Sequence, residues 1–249
     1  MLLAVDVGNT NISCGIFKGS KLIRQFDISA KACFKTSLKK KLKNTSEISA
    51  SLICSVVPKQ TIIISGFLKS LTNKAPYILG KNLTVPIKNL YRNPKQVGQD
   101  RLVNAYAASV FYQTPLIVID SGTAITFDVI SKNKAYLGGL IAPGMEISLA
   151  ALKEKTALLP RVKLAQPKML IGRDTKNSIL SGIVFGTAAL CSELTKGIKQ
   201  RIGKNALVIG TGGNIRLIKQ YSKLQIKIDK DLTLKGINLV YKNGIKKGI

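Results

Sequence analysis

The chain has 249 residues, 45% of them apolar, and 39 basic against 12 acidic side chains give a net charge of +27. That size and apolar content describe a folded protein of one large domain or two smaller ones, not a disordered one. The chain has no histidine, which excludes Ser-His-Asp and Cys-His triads. Its four cysteines are scattered without a CxxC pair, which argues against a zinc centre or a disulfide scaffold.

The first residues do not read as a secretory signal, because no basic segment leads and an acid stands at position 6. Instead MLLAVDVGNTN reads as a buried strand, Leu2 to Val5, that ends on Asp6 and turns at Gly8. The chain continues through NISCGIF to a turn at Lys18–Lys21 and resumes as LIRQFDI, the pattern of a β-hairpin. Residues 49–58 (SASLICSVVP) predict a strand ended by Pro58, residues 59–73 a helix, and Pro76–Leu79 a short strand. In 101–112, Leu102, Tyr106 and Val110 fall on one helical face.

The opening phrase then recurs. Residues 116–126, LIVIDSGTAIT, repeat the apolar run, with Asp120, Gly122 and Thr123 at its end. AITFDVI leads to a turn at Ser131–Lys134 and on to AYLGG, a second hairpin. Residues 175–200 predict the longest helix, in which Ser178, Gly182 and Gly186 form a stripe of small residues, either a dimer surface or an internal helix crossing. ALVIGTGGN (206–214) reads as a late strand entering a glycine turn. Two strands that each end in Asp-x-Gly and each open a hairpin predict a duplicated α/β fold. Each half, 1–113 and 114–249, is expected to be a mixed sheet with helices, with a ligand cleft between the halves.

The longest apolar runs, such as Ile62–Ile64 with Phe67 and Leu68, fall short of the roughly 18 residues of a membrane span. A cytoplasmic protein with no membrane partner is expected. The positive charge invites a nucleic-acid reading, yet the lysines are spread out, with clusters only at Lys39–Lys43 and Lys246–Lys247. No aromatic side chains alternate with them as stacking platforms, so a solvated basic surface is the preferred reading over a nucleic-acid partner.

An acid at the end of a buried strand needs a reason, because burying it unpaired is unfavourable. In Asp6-Val7-Gly8-Asn9-Thr10 the glycine lets the backbone approach a ligand, and successive N–H groups suit an anion. A carboxylate beside a phosphate calls for a cation between them, so Asp6 points to Mg²⁺, held directly or through water. Asp120-Ser121-Gly122-Thr123 is the second such loop, and Gly210–Asn214 (GTGGN) a third that suits an adenosine.

These three loops in this order resemble the actin-like ATPase superfamily, which includes sugar kinases, and so imply a duplicated ribonuclease H-like fold. The middle of the chain resembles a narrower family. Residues 93–104 (NPKQVGQDRLVN), 138–144 (GGLIAPG), 155–160 (KTALLP), 181–186 (SGIVFG) and 232–236 (LTLKG) are similar, in order, to type III pantothenate kinases.

That resemblance implies ATP-dependent phosphorylation of pantothenate to 4′-phosphopantothenate, the first step of coenzyme A biosynthesis, by a homodimer. It makes Asp100 the proton acceptor, and places Tyr91, Gly98, Gln99, Asp100, Arg101 and Thr175 around pantothenate, with Arg101 on its carboxylate. It gives Asp6, Val7, Gly8, Asn9, Thr10, Asn11, Ile12, Ser13 and Thr123 to ATP, and Asp120 to a monovalent cation, K⁺ or NH₄⁺. Thr175 is expected to reach pantothenate bound by the other subunit. Asp174 departs from the family pattern, where an Asn commonly precedes that Thr, and sets a negative charge near an anionic substrate. From the residues alone Asp100 could instead cap the helix it precedes. Two other functions fit part of the pattern: a non-catalytic ATP-binding regulator of the same fold, and a two-metal nuclease using Asp6.

Overall fold

A computed structural model describes residues 1–30, 32–42 and 48–246, so Lys43 and Lys247 of the two basic clusters lie outside the described residues. The chain divides into two compact units, Met1–Phe111 with Asp231–Ile249, and Tyr112–Lys230.

Unit 1 contains β1 (Leu2–Val7), β2 (Asn11–Lys18), β3 (Lys21–Ser29), α1 (Phe34–Lys41), β4 (Ala50–Ser55), α2 (Pro58–Thr72), β5 (Tyr77–Ile78) and α3 (Gln99–Phe111). β1 and β4 are nearly continuous apolar runs, as expected of central strands covered on both faces. Pro58 starts α2, where its missing N–H is not needed, and Asn73 ends it in the left-handed conformation. The sheet order is β3-β2-β1-β4-β5, with β1 antiparallel to β2 and parallel to β4.

Alternation along the strands sorts the core into two layers. Leu3, Val5, Val7 and Ile53 pack with Phe34 and Leu38 of α1 and with Ile64, Phe67 and Leu68 of α2. Leu2, Ala4, Leu52 and Cys54 pack on the other face with Val103 and Tyr106 of α3. Asp6 follows Leu2 and Ala4 at every second residue, so it lies on the α3 face of the sheet.

Unit 2 contains β6 (Leu116–Ser121), β7 (Ala124–Ile130), β8 (Tyr136–Pro143), α4 (Met145–Glu154), α5 (Thr175–Ile202), β9 (Leu207–Thr211), α6 (Ile215–Tyr221) and β10 (Lys227–Ile228). Its sheet order is β10-β9-β6-β7-β8, with β6 antiparallel to β7 and parallel to β9. Taken from the β8 end, this is the connectivity of unit 1. The duplication reaches single residues: Asp6 is the cross-strand partner of Ser13 and Cys54, and Asp120 that of Thr126 and Thr211. The architecture is a duplicated ribonuclease H-like fold of two mixed five-stranded sheets.

After unit 2 the chain returns to unit 1 as α7 (Leu232–Lys246). Leu234, Ile237 and Val240 are buried with Val103 and Tyr106 of α3. At Gly236 an added Cβ would lie 2.5 Å from Val103 Cγ1 and 2.8 Å from Val103 O, so the two helices cross at backbone contact. Thr233 donates to Asn104 Oδ1 at 2.8 Å across the same crossing. A division into 1–113 and 114–249 by sequence therefore leaves α7 with the half that encodes it, whereas its apolar face packs on α3 in unit 1.

The expectation that nothing here approaches a membrane span meets one exception. Among the described residues α5 alone is long and apolar enough to cross a membrane by length and composition. Its Ser, Gly, Ala and Thr residues break up the apolar run, yet residues 177–192 carry no charged side chain; the charges gather toward the C-terminal end at Glu193, Lys196, Lys199 and Arg201. Leu180, Val184 and Cys191 on its inner side join the core of unit 2, which is the behaviour of a core helix.

Candidate functional site

In unit 1, β1 delivers Asp6 to the end of the strand, and the chain reverses over Gly8–Thr10 into β2. The Gly8 N–H donates to Asn11 O at 3.0 Å, which closes the turn, and Asn9, Thr10 and Asn11 are exposed. Val7 and Ile12 are fully buried in the core, so of the loop expected to face ATP these two can offer only backbone atoms. Asp6 and Ser13 are directly opposite on β1 and β2, which puts a carboxylate and a hydroxyl side by side.

Asp100 stands on α3, one residue inside the helix. The carbonyl of Gly98 accepts from Leu102 N at 3.2 Å and opens the helix, so Asp100 is a first-turn acid and not the cap. Its Oδ1 accepts from the Arg101 N–H at 2.9 Å. A Cβ at position 98 would collide with that same oxygen, so glycine is needed there for the carboxylate to sit as it does. Asp100 is half-buried, and burial raises its pKa above the ordinary carboxylate range, with the Arg101 N–H and guanidinium acting in the opposite sense.

Cys54 ties the two carboxylates together. It is fully buried on the α3 face of β4, as the parallel partner of Asp6. Burial pushes its thiol well up, and the negative charges of Asp6 and Asp100 push it further. Asp6 and Cys54 are thus register partners at one end of the sheet face on which α3 packs, and Asp100 of α3 lies within electrostatic reach of Cys54. Nothing in the sequence marked Cys54; the signal was its strand register relative to Asp6.

Arg101 is buried, at 8% exposure. Gln99 packs beside Gly80, where an added Cβ would come within 3.1 Å of the Gln99 side chain. Tyr91 is half-buried, and its N–H donates to Asn89 Oδ1 at 3.0 Å in a side-chain-closed turn.

Unit 2 assembles its own loops. Gly122 N donates to Ala124 O at 3.0 Å, and Gly144 N donates to Thr123 O at 3.1 Å, so the exposed Thr123 is held from below by the start of α4. The glycine turn after β9 lies against the same loop, with Asn214 N donating to Ser121 O at 3.1 Å. At Gly212 φ is +88°, and an added Cβ would fall 2.5 Å from Asp120 Oδ1 and 2.6 Å from Ser121 O. Two oxygens thus converge on a position that only glycine leaves open. The second and third loops, separate phrases in the sequence, form one structure.

Thr175 is the exposed first residue of α5. Asp174 before it caps that helix: its Oδ1 accepts from Asn177 N at 2.8 Å, and its Oδ2 accepts from Asn177 Nδ2 at 2.5 Å. These hydrogen bonds hold its pKa below the ordinary value. The charge that looked misplaced beside an anionic substrate is engaged by the helix N-terminus. Asp174→Ala is expected to lower the melting temperature, whereas Asp174→Asn, which still accepts from Asn177 N, keeps most of it; thermal melts compare the two. Because the folded pKa is depressed, this stabilisation is present above the unfolded pKa and fades as pH falls through the folded one.

Asp128 is fully buried and accepts from Tyr136 Oη at 3.0 Å and Thr126 Oγ1 at 3.3 Å, a structural role inside the sheet. Glu146 is exposed on the first turn of α4.

The geometry places Asp-Gly loops at equivalent strand ends of both units and a desolvated acid beside the first of them. The family model for type III pantothenate kinase matches residues 2–197, which span both aspartate loops, Asp100 and Thr175. The chain belongs to the type III pantothenate kinase family. A type III pantothenate kinase from Dehalococcoides mccartyi is 37% identical, with 96% of each chain covered. One from Finegoldia magna is 40% identical, again with 96% of each covered. Among solved structures, component A of (R)-2-hydroxyglutaryl-CoA dehydratase from Acidaminococcus fermentans superposes with a TM-score of 0.58 at 16% identity, covering 98% of both chains. An activator of 2-hydroxyisocaproyl-CoA dehydratase from Clostridium difficile, solved with bound ADPNP, gives 0.56 at 11%, covering 99% of this chain and 96% of that one. At such identities these two speak for the fold alone.

Proposed function

We propose that this chain transfers the γ-phosphoryl group of ATP to the primary hydroxyl of pantothenate, giving ADP and 4′-phosphopantothenate, the first step of coenzyme A biosynthesis. The observation that carries the reading is local to unit 1. The residue matching the family's proton acceptor, Asp100, shares the buried Cys54 with Asp6, the acid of the first phosphate loop. A base and a phosphate loop at one end of one sheet are what an alcohol kinase requires. A regulator that only bound ATP would have no use for the first of them.

Asp100 takes the hydroxyl proton as that oxygen attacks the γ-phosphorus, and the bond to the ADP oxygen breaks. The raised pKa of Asp100 makes it a stronger base than a solvated aspartate. Arg101 is the partner for the pantothenate carboxylate, where a guanidinium fork suits the geometry. Tyr91, Gly98 and Gln99 line the acceptor, and Thr175 reaches pantothenate on the other subunit. The loop Asp6–Ser13, with Thr123, serves ATP.

The donor sets fit the expected ions. Asp6 and Ser13 offer paired hard oxygens for Mg²⁺, which neutralises phosphate charge when bound. Asp120 Oδ1 and Ser121 O converge beside Gly212 in a manner suited to K⁺ or NH₄⁺. A homodimer is supported by α5: Gly182 and Gly186 are exposed, and a Cβ built at either meets nothing within 4 Å, so their stripe is not an internal helix crossing among the described residues. A cytoplasmic location follows from the chemistry, since ATP and pantothenate are met there.

The test is formation of phosphopantothenate by the purified chain with Mg-ATP and pantothenate, in potassium and in sodium buffers. Product that forms faster in potassium supports both the reaction and the cation. A folded chain that binds ATP and forms no product in either buffer would overturn the choice of acceptor.

A further inference from the structure

A residue outside every expected site lies in line with the first phosphate loop. Across the strand order β3-β2-β1-β4, the register runs Asp27–Ser13–Asp6–Cys54. Phe26 and Ile28 on either side of Asp27 are buried in the α1/α2 layer. They fix the orientation of β3, so Asp27 faces the side of the sheet that carries Asp6. Ser13 Oγ lies 2.6 Å from Asp27 Oδ1.

The direction of that hydrogen bond follows from chemistry. The Ser13 hydroxyl donates and the Asp27 carboxylate oxygen accepts. A hydroxyl has a single proton, and Asp27 takes it. What Ser13 then offers toward its other cross-strand neighbour, Asp6, is lone pairs. Two oxygen acceptors stand side by side, a combination that repels phosphate and receives a cation.

We propose that Asp27 is a positioning residue of the nucleotide site. By taking the Ser13 proton it turns the Ser13 oxygen into an acceptor beside Asp6, and that pair receives the divalent cation accompanying ATP. The inference rests on the nucleotide reading of the Asp6–Ser13 loop given above. It adds a selectivity: nucleotide binds well with its metal and poorly without it. With Asp27 removed, Ser13 regains a proton that it can donate to a phosphate oxygen directly, and one anion leaves the site.

The experiment is titration calorimetry on the full chain, with Mg-ATP and separately with ATP in EDTA, and with no pantothenate present. Asp27→Ala is expected to weaken Mg-ATP binding by about 3- to 10-fold, the range of one hydrogen bond, while metal-free ATP binds as well as before or better. Asp27→Asn, whose amide oxygen still accepts from Ser13, should keep Mg-ATP affinity within about twofold. In a Ser13→Ala background, Asp27→Ala should add no further loss, because the hydroxyl it positions is gone.

Equal weakening of Mg-ATP and metal-free ATP by Asp27→Ala would show a merely structural pair and overturn the inference. So would wild-type behaviour in that variant, an Asp27→Asn variant as weak as Asp27→Ala, or an undiminished effect without Ser13. A wild-type chain that binds no Mg-ATP would overturn the nucleotide reading and this inference together. One that binds Mg-ATP yet makes no phosphopantothenate would overturn only the acceptor, and the Asp27 comparison would still decide.

Discussion

Asp100→Asn is expected to lower turnover by about 10²–10⁴-fold, the usual worth of a general base, and to leave Mg-ATP affinity near that of the wild type. Asn keeps the shape and can still accept from the Arg101 N–H, so the start of α3 is preserved. What it lacks is basicity. The same substitution should stabilise the fold. Burial raises the Asp100 pKa, so the folded state favours the protonated form. A raised carboxylate contributes stability below its unfolded pKa, and that contribution is lost as pH rises through the folded pKa. Above the folded pKa the chain therefore carries a desolvated negative charge that Asn removes. Melting temperature should rise or hold at pH 7 while activity collapses, and the difference should vanish in acid. The acid limb of the wild-type rate profile should lie above the range of a solvated aspartate. A variant that stays active, or that loses activity because it unfolds, would remove Asp100 from the role of base.

Much of this was legible from residues because strands announce themselves locally. Period-two alternation and lysine- or glycine-bearing turns give the hairpins, and the repeated Asp-x-Gly phrase gives the duplication. Helices whose only apolar face is specified by a distant partner were not legible. α1 has just Phe34 and Leu38 buried among basic side chains, and α7 carries Gly236 in its middle. Its helical state answers to α3, far away in sequence. The same holds for the site. Asp6 and Asp100 could be singled out by motif, whereas Cys54 and Asp27 acquire meaning only through strand register. Asp174 is a different case: an acid just ahead of a long helix is a capping signal that the sequence did contain.

Asp120→Ala is expected to abolish the difference between potassium and sodium buffers and to lower turnover on the order of 10²-fold, as loss of one fixed electrostatic partner of a phosphoryl site does. Gly212→Ala should reproduce this with Asp120 still in place. Residue 212 sits at φ +88°, where a side chain is strained by about 1–2 kcal/mol. Its Cβ would occupy the point 2.5 Å from Asp120 Oδ1 and 2.6 Å from Ser121 O, where two oxygens now converge. The oxygens must part, and a cation that needs both loses its cradle. The two substitutions differ in every other respect. One deletes a charge on β6, and the other adds a methyl group to the turn after β9. Strain alone would lower stability and leave potassium activation intact. A shared loss of potassium activation, measured as the ratio of rates in the two buffers, therefore identifies the cradle and not the fold as the thing removed. A Gly212→Ala enzyme that is slower but still prefers potassium would take the cation away from this pair of loops.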